Sequence, residues 1–127
     1  MKISIITVSF NSSGTIEDTF ESISSQNYSD IEYIVIDGNS NDGTLDIIKK
    51  NDNLIDKWKC ENDQGIYDAM NKGIKIATGE VIGILNSDDI YYSKNSIEKI
   101  MSCFINDKNI DIVFGDINYV TKDLKTI

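Results

Sequence analysis

The sequence predicts an α/β fold, a mostly parallel sheet with helices on both faces. Three observations predict it. Short β-branched runs recur along the chain, stretches with apolar residues at helical spacing alternate with them, and clusters of Asn, Ser, Asp and Gly separate the two.

Residues 2–9 read as the first strand, because Ile3, Ile5, Ile6 and Val8 are β-branched and the run stops at Asn11-Ser12-Ser13-Gly14. A helix follows, with Thr15 as its N-cap, Glu17 and Asp18 in its first turn, and Ile16, Phe20 and Ile23 on one face. Residues 31–37 form the second strand. The loop 38–43 consists almost wholly of turn formers, and Thr44 opens a short helix carrying Leu45, Ile47 and Ile48. A weaker strand at 54–59 precedes the loop 61–65. Ile66, Met70, Ile74 and Ala77 then give a helix ended by Gly79. Residues 80–85 are the next strand, which delivers Asn86-Ser87-Asp88-Asp89 at its carboxyl end. Ile97, Ile100, Met101 and Phe104 mark another helix, 111–114 a further strand, and 117–127 a hairpin that stops in mid-strand. In such sheets ligands bind beyond the carboxyl ends of the strands, so the loops starting at Phe10, Asp37 and Asn86 are expected on one rim.

Composition narrows the chemistry. With 127 residues, 40% of them hydrophobic, the chain has enough apolar material for one domain with its own core. The absence of histidine removes Ser-His and Cys-His nucleophiles. Two cysteines, Cys60 and Cys103, make neither a disulfide framework nor a four-ligand zinc site, and both read as small buried side chains. A net charge of -9 disfavours nucleic acid, and an acidic protein that binds a diphosphate usually needs a cation between the two. No apolar run approaches the roughly 20 residues of a membrane span, and no leader pattern is visible, so the cytoplasm is the default compartment.

Asp88 and Asp89 are adjacent carboxylates directly after a buried strand. A magnesium or manganese ion bridging to phosphate would stabilise their charge; a solvated turn capping the next helix is the plainer alternative. Asp37, also at a strand end, suits either a ligand or its own loop's backbone amides. Phe10 is open between a core aromatic and a ring stacked on a base.

These residues resemble family-two glycosyltransferases of the A-type fold, collinearly over nearly all of the chain. The resemblance rests on Ser4-Ile5-Ile6-Thr7-Val8-Ser9-Phe10-Asn11, on Val35-Ile36-Asp37-Gly38 with Ser40 and Asp42-Gly43-Thr44, on Asn71-Lys72-Gly73 with Ala77-Thr78-Gly79-Glu80, and on Leu85-Asn86-Ser87-Asp88-Asp89. It implies a Rossmann-like nucleotide-diphospho-sugar transferase fold that continues beyond Ile127, with residues 1–127 as one nucleotide-sugar-binding domain. By position, Val8, Ser9, Phe10, Asn11, Asp37, Ser40, Lys72 and Asp88 fall in the nucleotide site, with Phe10 and Asn11 lining the base site and Asp37 reading the base. The Asp-x-Asp-like segment gives Asp88 and Asp89 to ribose and metal, with the direct ligand left open between them. Three positions depart from many members: Gly38 and Asn86 stand where aspartates are usual, and Met70 where an arginine is.

The activity implied is inverting, metal-dependent transfer from a nucleoside diphosphate sugar, UDP first, to a saccharide or lipid-linked acceptor in cell-surface polysaccharide or lipopolysaccharide synthesis. The cofactor would be Mg2+ or Mn2+. Work at the inner membrane face, by peripheral association, and a homo-oligomer are compatible with it. The general base is expected outside this chain, Asp116 being the sole late carboxylate to weigh. The alternatives are a nucleotide-sugar-binding module without transfer and, more remotely, a receiver-type signalling domain. The latter needs its acidic pair after the first strand, where this chain has Ser9-Phe10-Asn11.

Overall fold

The computed structural model describes residues 1–124. The element order is β1 (Ile3–Ser9), α1 (Ile16–Ser24), β2 (Ile31–Asp37), α2 (Thr44–Lys50), a 3-10 turn at Asp52–Leu54, β3 (Lys57–Cys60), α3 (Ile66–Ile76), β4 (Val81–Ile84) and α4 (Ser96–Asn106). The strands form one parallel sheet in the order β3-β2-β1-β4. Register sets the rim: Ser9 stands beside Asp37, Asp37 beside Cys60, and Ile6 beside Ile84. The loops after Phe10, Asp37 and Leu85 therefore leave from one edge, as expected.

Strand alternation splits the core into two layers. Ile3, Ile5, Tyr33 and Val35 face α1, α2 and α4 through Ile16, Phe20, Ile48, Ile97 and Met101. Ile6, Val8, Ile34 and Ile36 face α3 through Ala69. The second layer is thin because α3 approaches closely. A Cβ at Gly73 would stand 2.6 Å from Ile6 Cγ2, so a larger residue there would push helix from sheet.

At the opposite edge of the sheet a buried polar cluster closes the α3–β4 connection. Glu32 is 7% exposed and pairs with Lys57 Nζ at 2.7 Å. It also accepts hydrogen bonds from Ser4 Oγ, from the Thr78 amide at 2.8 Å and from Thr78 Oγ1 at 3.0 Å. Gly79 donates its amide to Ser4 Oγ at 2.8 Å, and a Cβ on it would meet the Ser4 nitrogen at 2.6 Å. Thr78 and Gly79 are thus parts of the scaffold. Burial alone would raise the Glu32 pKa, but the hydrogen bonds from Lys57, Ser4 and Thr78 outweigh it and hold the carboxyl at about 2 instead of 4.5.

A carboxyl with a lowered folded-state pKa stabilises above its unfolded value and loses that contribution as pH falls through the folded one. Glu32→Gln is therefore expected to cost about 2 kcal/mol at neutral pH, after allowance for the half-exposed lysine. The gap between variant and wild type should close between pH 4.5 and 2. Urea titrations across that range check it, and parallel pH profiles for the two proteins would refute the assignment.

Several expectations are corrected. The third strand begins at Lys57, not at 54, because Leu54 belongs to the 3-10 turn. Helix α3 ends at Ile76, and Gly79 serves close packing instead of termination. Residues 111–114 form no strand: they face the β4 edge across a cleft of about 710 Å³ and find no backbone partner among the described residues. Ile112 and Phe114 are 80% and 92% exposed there, since a strand needs a neighbour to pair its amides and carbonyls. Of the expected hairpin, Leu124 N–H closes a turn onto Thr121 O, and residues 125–127 lie outside the described residues. Cys103 is exposed on α4 and Cys60 half-buried, so neither is a core residue.

Candidate functional site

The rim is organised by hydrogen bonds between residues far apart in sequence. Asn11 adopts a left-handed φ of 51°, which asparagine tolerates, and this turns the chain so that the preceding Phe10 is 63% exposed. The core reading of Phe10 is thereby excluded. Asn11 N–H donates to Ser40 Oγ at 2.8 Å, and Asn11 Oδ1 accepts from Asn41 N–H at 2.9 Å. Asp42 ties the same two loops, taking the Ser13 amide at 3.1 Å and the Thr44 amide and hydroxyl at 3.1 and 2.6 Å. The Thr44 hydroxyl is the main cause of its pKa lying well below the usual carboxylate range. Gly43 enters α2 at φ 101°, a conformation that favours glycine.

Asp37 is fully buried beneath this rim. Its Oδ1 accepts from Ser9 Oγ at 2.7 Å and Ser40 Oγ at 2.7 Å, and its Oδ2 from the Ser40 amide at 2.8 Å and the Cys60 thiol at 3.4 Å. Four donors enclose the carboxylate, so it holds β1, β2, β3 and the 38–43 loop together.

The acidic loop after β4 is clamped by α1. Thr15 makes no cap bond to its own helix; its hydroxyl donates to Ser87 O at 2.8 Å, and Thr19 Oγ1 donates to Asp89 O at 2.7 Å. Ser12 and Ser87 hydroxyls meet at 2.6 Å. Burial raises the Asp89 pKa, the Asp88 charge adds to this, and the Asn86 side chain partly offsets it.

Between these loops lies a cleft of about 680 Å³. Of the expected site residues, Val8, Ser9, Phe10, Asn11 and Asp88 line it, together with Asn86. Asp37, Ser40, Lys72 and Asp89 are not among its lining residues. Asp37 and Ser40 form the layer behind, and Lys72 Nζ binds the Asn62 carbonyl at 2.8 Å and Glu61 Oε1 at 3.4 Å. Asp116 is exposed on the segment after α4 and does not line the cleft. Ser12, Thr15, Gly65 and Ser87 also line it, and sequence reasoning missed Asp63, Ile66 and Ala69 as lining residues. Asp63 was within reach of the strand-end rule, since it follows β3 at the same rim.

The cleft suits a hard cation shared with a ligand. Asn86 Oδ1 is the one buried side-chain oxygen without a hydrogen-bond partner among the described residues, and Asp88 is exposed beside it. No three carboxylates or thiols among the described residues gather into a closed metal cage, so ligand oxygens or water would have to complete the shell.

Residues 4–126 match the family model described as glycosyl transferase family 2. A PGL/p-HBAD biosynthesis glycosyltransferase of Mycobacterium bovis is 33% identical over 117 residues, which is 90% of this chain and 46% of the relative. An uncharacterized glycosyltransferase of Mycobacterium tuberculosis is 40% identical over 88 residues, covering 68% of this chain and 34% of that one. The chain thus spans less than half the length of these relatives. Among solved structures, S. aureus TarS 1-349 in complex with UDP-GlcNAc superposes with a TM-score of 0.75 at 27% identity, over 84% of this chain and 32% of the 1-349 chain. A mannosyltransferase of Pyrobaculum calidifontis, in complex with GDP-Man and Mn2+, has the same TM-score of 0.75 at 22% identity, over 81% of this chain and 32% of its own, and shares the fold. No helix among the described residues is long and apolar enough to cross a membrane. With its parallel α/β sheet, its rim of strand-end loops and a family match across nearly its whole length, the chain belongs to glycosyl transferase family 2.

Proposed function

We propose that residues 1–127 form the donor-binding part of a glycosyltransferase that takes a nucleoside diphosphate sugar, with UDP as its nucleotide, together with Mg2+ or Mn2+. The observation that carries this reading is the cleft itself, where exposed Phe10, exposed Asp88 and the orphaned Asn86 oxygen converge on one rim. Phe10 offers a face for the base. Val8, Ser9 and Asn11 shape the wall beneath it, with Asp37 and Ser40 holding that wall from behind. Asp88 and Asn86 would hold the cation, which supplies charge neutralisation for the departing diphosphate. Asp89 supports the loop from outside the cleft, and Lys72 acts through the 61–65 loop instead of touching phosphate. Support for UDP comes from TarS, whose complex contains UDP-GlcNAc.

The complete reaction on this reading is inverting transfer to a saccharide or lipid-linked acceptor in cell-surface glycan synthesis, at the inner face of the membrane. Its acceptor base is left unassigned on this reading, Asp116 being exposed and not among the residues that line the cleft. Calorimetry with UDP, with and without a chelator, tests the donor site. Binding is expected only with the divalent ion present, and equal affinity in both conditions would remove the cation from the proposal. A binding module without transfer would give the same calorimetry, and product analysis with sugar nucleotides and acceptors separates the two.

A further inference from the structure

The carboxylate that the family resemblance assigns to the base, Asp37, is enclosed and takes four donors from its own fold. Another carboxylate stands in the cleft. Asp63 lines it beside Phe10, and its Oδ2 sits so close to Gly38 that a Cβ there would stand 2.7 Å from it and 3.5 Å from the Phe10 ring. The missing side chain at position 38 is the space that Asp63 uses. Asp63 Oδ1 accepts the Gly65 amide at 3.0 Å, whereas Oδ2 has no hydrogen-bond partner among the described residues.

Topology separates this group from the acidic loop. Asp63 follows β3 and Asp88 follows β4, the two outer strands of the sheet, and the end of β1 with Phe10 lies between them. A nucleotide whose diphosphate is at Asp88 and whose ring rests on Phe10 presents its base edge toward Asp63. The 61–65 loop is held for this by α3: Lys72 Nζ reaches Asn62 O and Glu61 Oε1, and Asp68 Oδ2 accepts the Gln64 amide at 3.0 Å.

Resting on the donor reading above, we propose that Asp63 is the base-selecting residue, its Oδ2 accepting the N3–H of a uracil ring, with Lys72 as the positioning residue of its loop. An ionised carboxylate only accepts hydrogen bonds. Uracil offers an imide N–H at the ring edge, whereas cytosine and adenine present a bare ring nitrogen there, which leaves a carboxylate facing a lone pair. Guanine has a ring N–H as well, but in a larger ring.

Asp63→Asn tests the assignment, because asparagine keeps the Oδ1 acceptor for the Gly65 amide while replacing the free oxygen by a donor. Affinities of wild type and variant for UDP, CDP, GDP and pyrophosphate are measured by calorimetry with magnesium, after circular dichroism has shown equal folding. Wild type is expected to prefer UDP over CDP and GDP. In the variant the UDP-to-CDP affinity ratio should fall at least about tenfold, the amide now donating to cytosine N3, with pyrophosphate binding unchanged. A wild-type preference for UDP that persists in the variant, or an equal loss for every ligand including pyrophosphate, overturns the role of Asp63 and leaves the donor site standing. A wild-type chain that binds no nucleoside diphosphate overturns both.

Discussion

Asp37→Ala is expected to lower folding stability by about 3 kcal/mol and the melting temperature by roughly 10 °C. Its carboxylate is wholly buried and receives the Ser9 and Ser40 hydroxyls, the Ser40 amide and the Cys60 thiol. Truncation leaves these donors inside the protein without an acceptor, and such orphaned groups each cost about 1–3 kcal/mol before relaxation. Asp37→Asn should lie between, since one amide oxygen remains while the new NH2 faces a donor. Ser40→Ala removes a single hydroxyl and should cost about 1 kcal/mol. Denaturant titration of the three variants checks the ranking. If Asp37→Ala unfolded at the wild-type midpoint, the enclosed hydrogen-bond network could not be what joins the β1, β2 and β3 ends.

The second large effect concerns the acidic loop. Asp88→Ala is expected to weaken UDP binding in the presence of magnesium by about 100-fold, close to 2.7 kcal/mol, and to abolish the difference that a chelator makes. Asp88 is the carboxylate of the pair that lines the cleft, beside the unpartnered Asn86 oxygen. Asp89→Ala should cost less than about tenfold, because the loop is anchored through the Asp89 backbone carbonyl, which Thr19 holds and alanine retains. Titrations of both variants with UDP, with manganese and with the two together measure the terms separately. An Asp89 variant more impaired than the Asp88 variant would reverse the assignment of cation and support.

What the sequence determined by itself is the order and type of the elements and the rim on which chemistry gathers. β-branched runs such as Ile3 to Val8, and apolar spacing such as Ile97, Met101 and Phe104, report which way each side chain points relative to its neighbours in the chain, and that is local information. Parallel strands with helical crossovers then place every carboxyl end on one side, which puts Phe10, Asp37 and Asp88 at the same edge.

Only the tertiary structure decided which of those groups faces the cleft. Asp37 ends β2 and Asp63 lies in the polar loop after β3, yet one is sealed by Ser9 and Cys60 from the flanking strands, and the other is held open by Lys72 and by the absent side chain of Gly38. The fate of residues 111–114 was likewise undecidable locally, because a β-like run becomes a strand only where a neighbouring edge pairs with it. The physical reason is the same in each case. Periodicity and turn chemistry act between residues a few positions apart, whereas the exposure of a carboxylate depends on donors brought to it across 23 to 28 positions of chain by the register of the sheet.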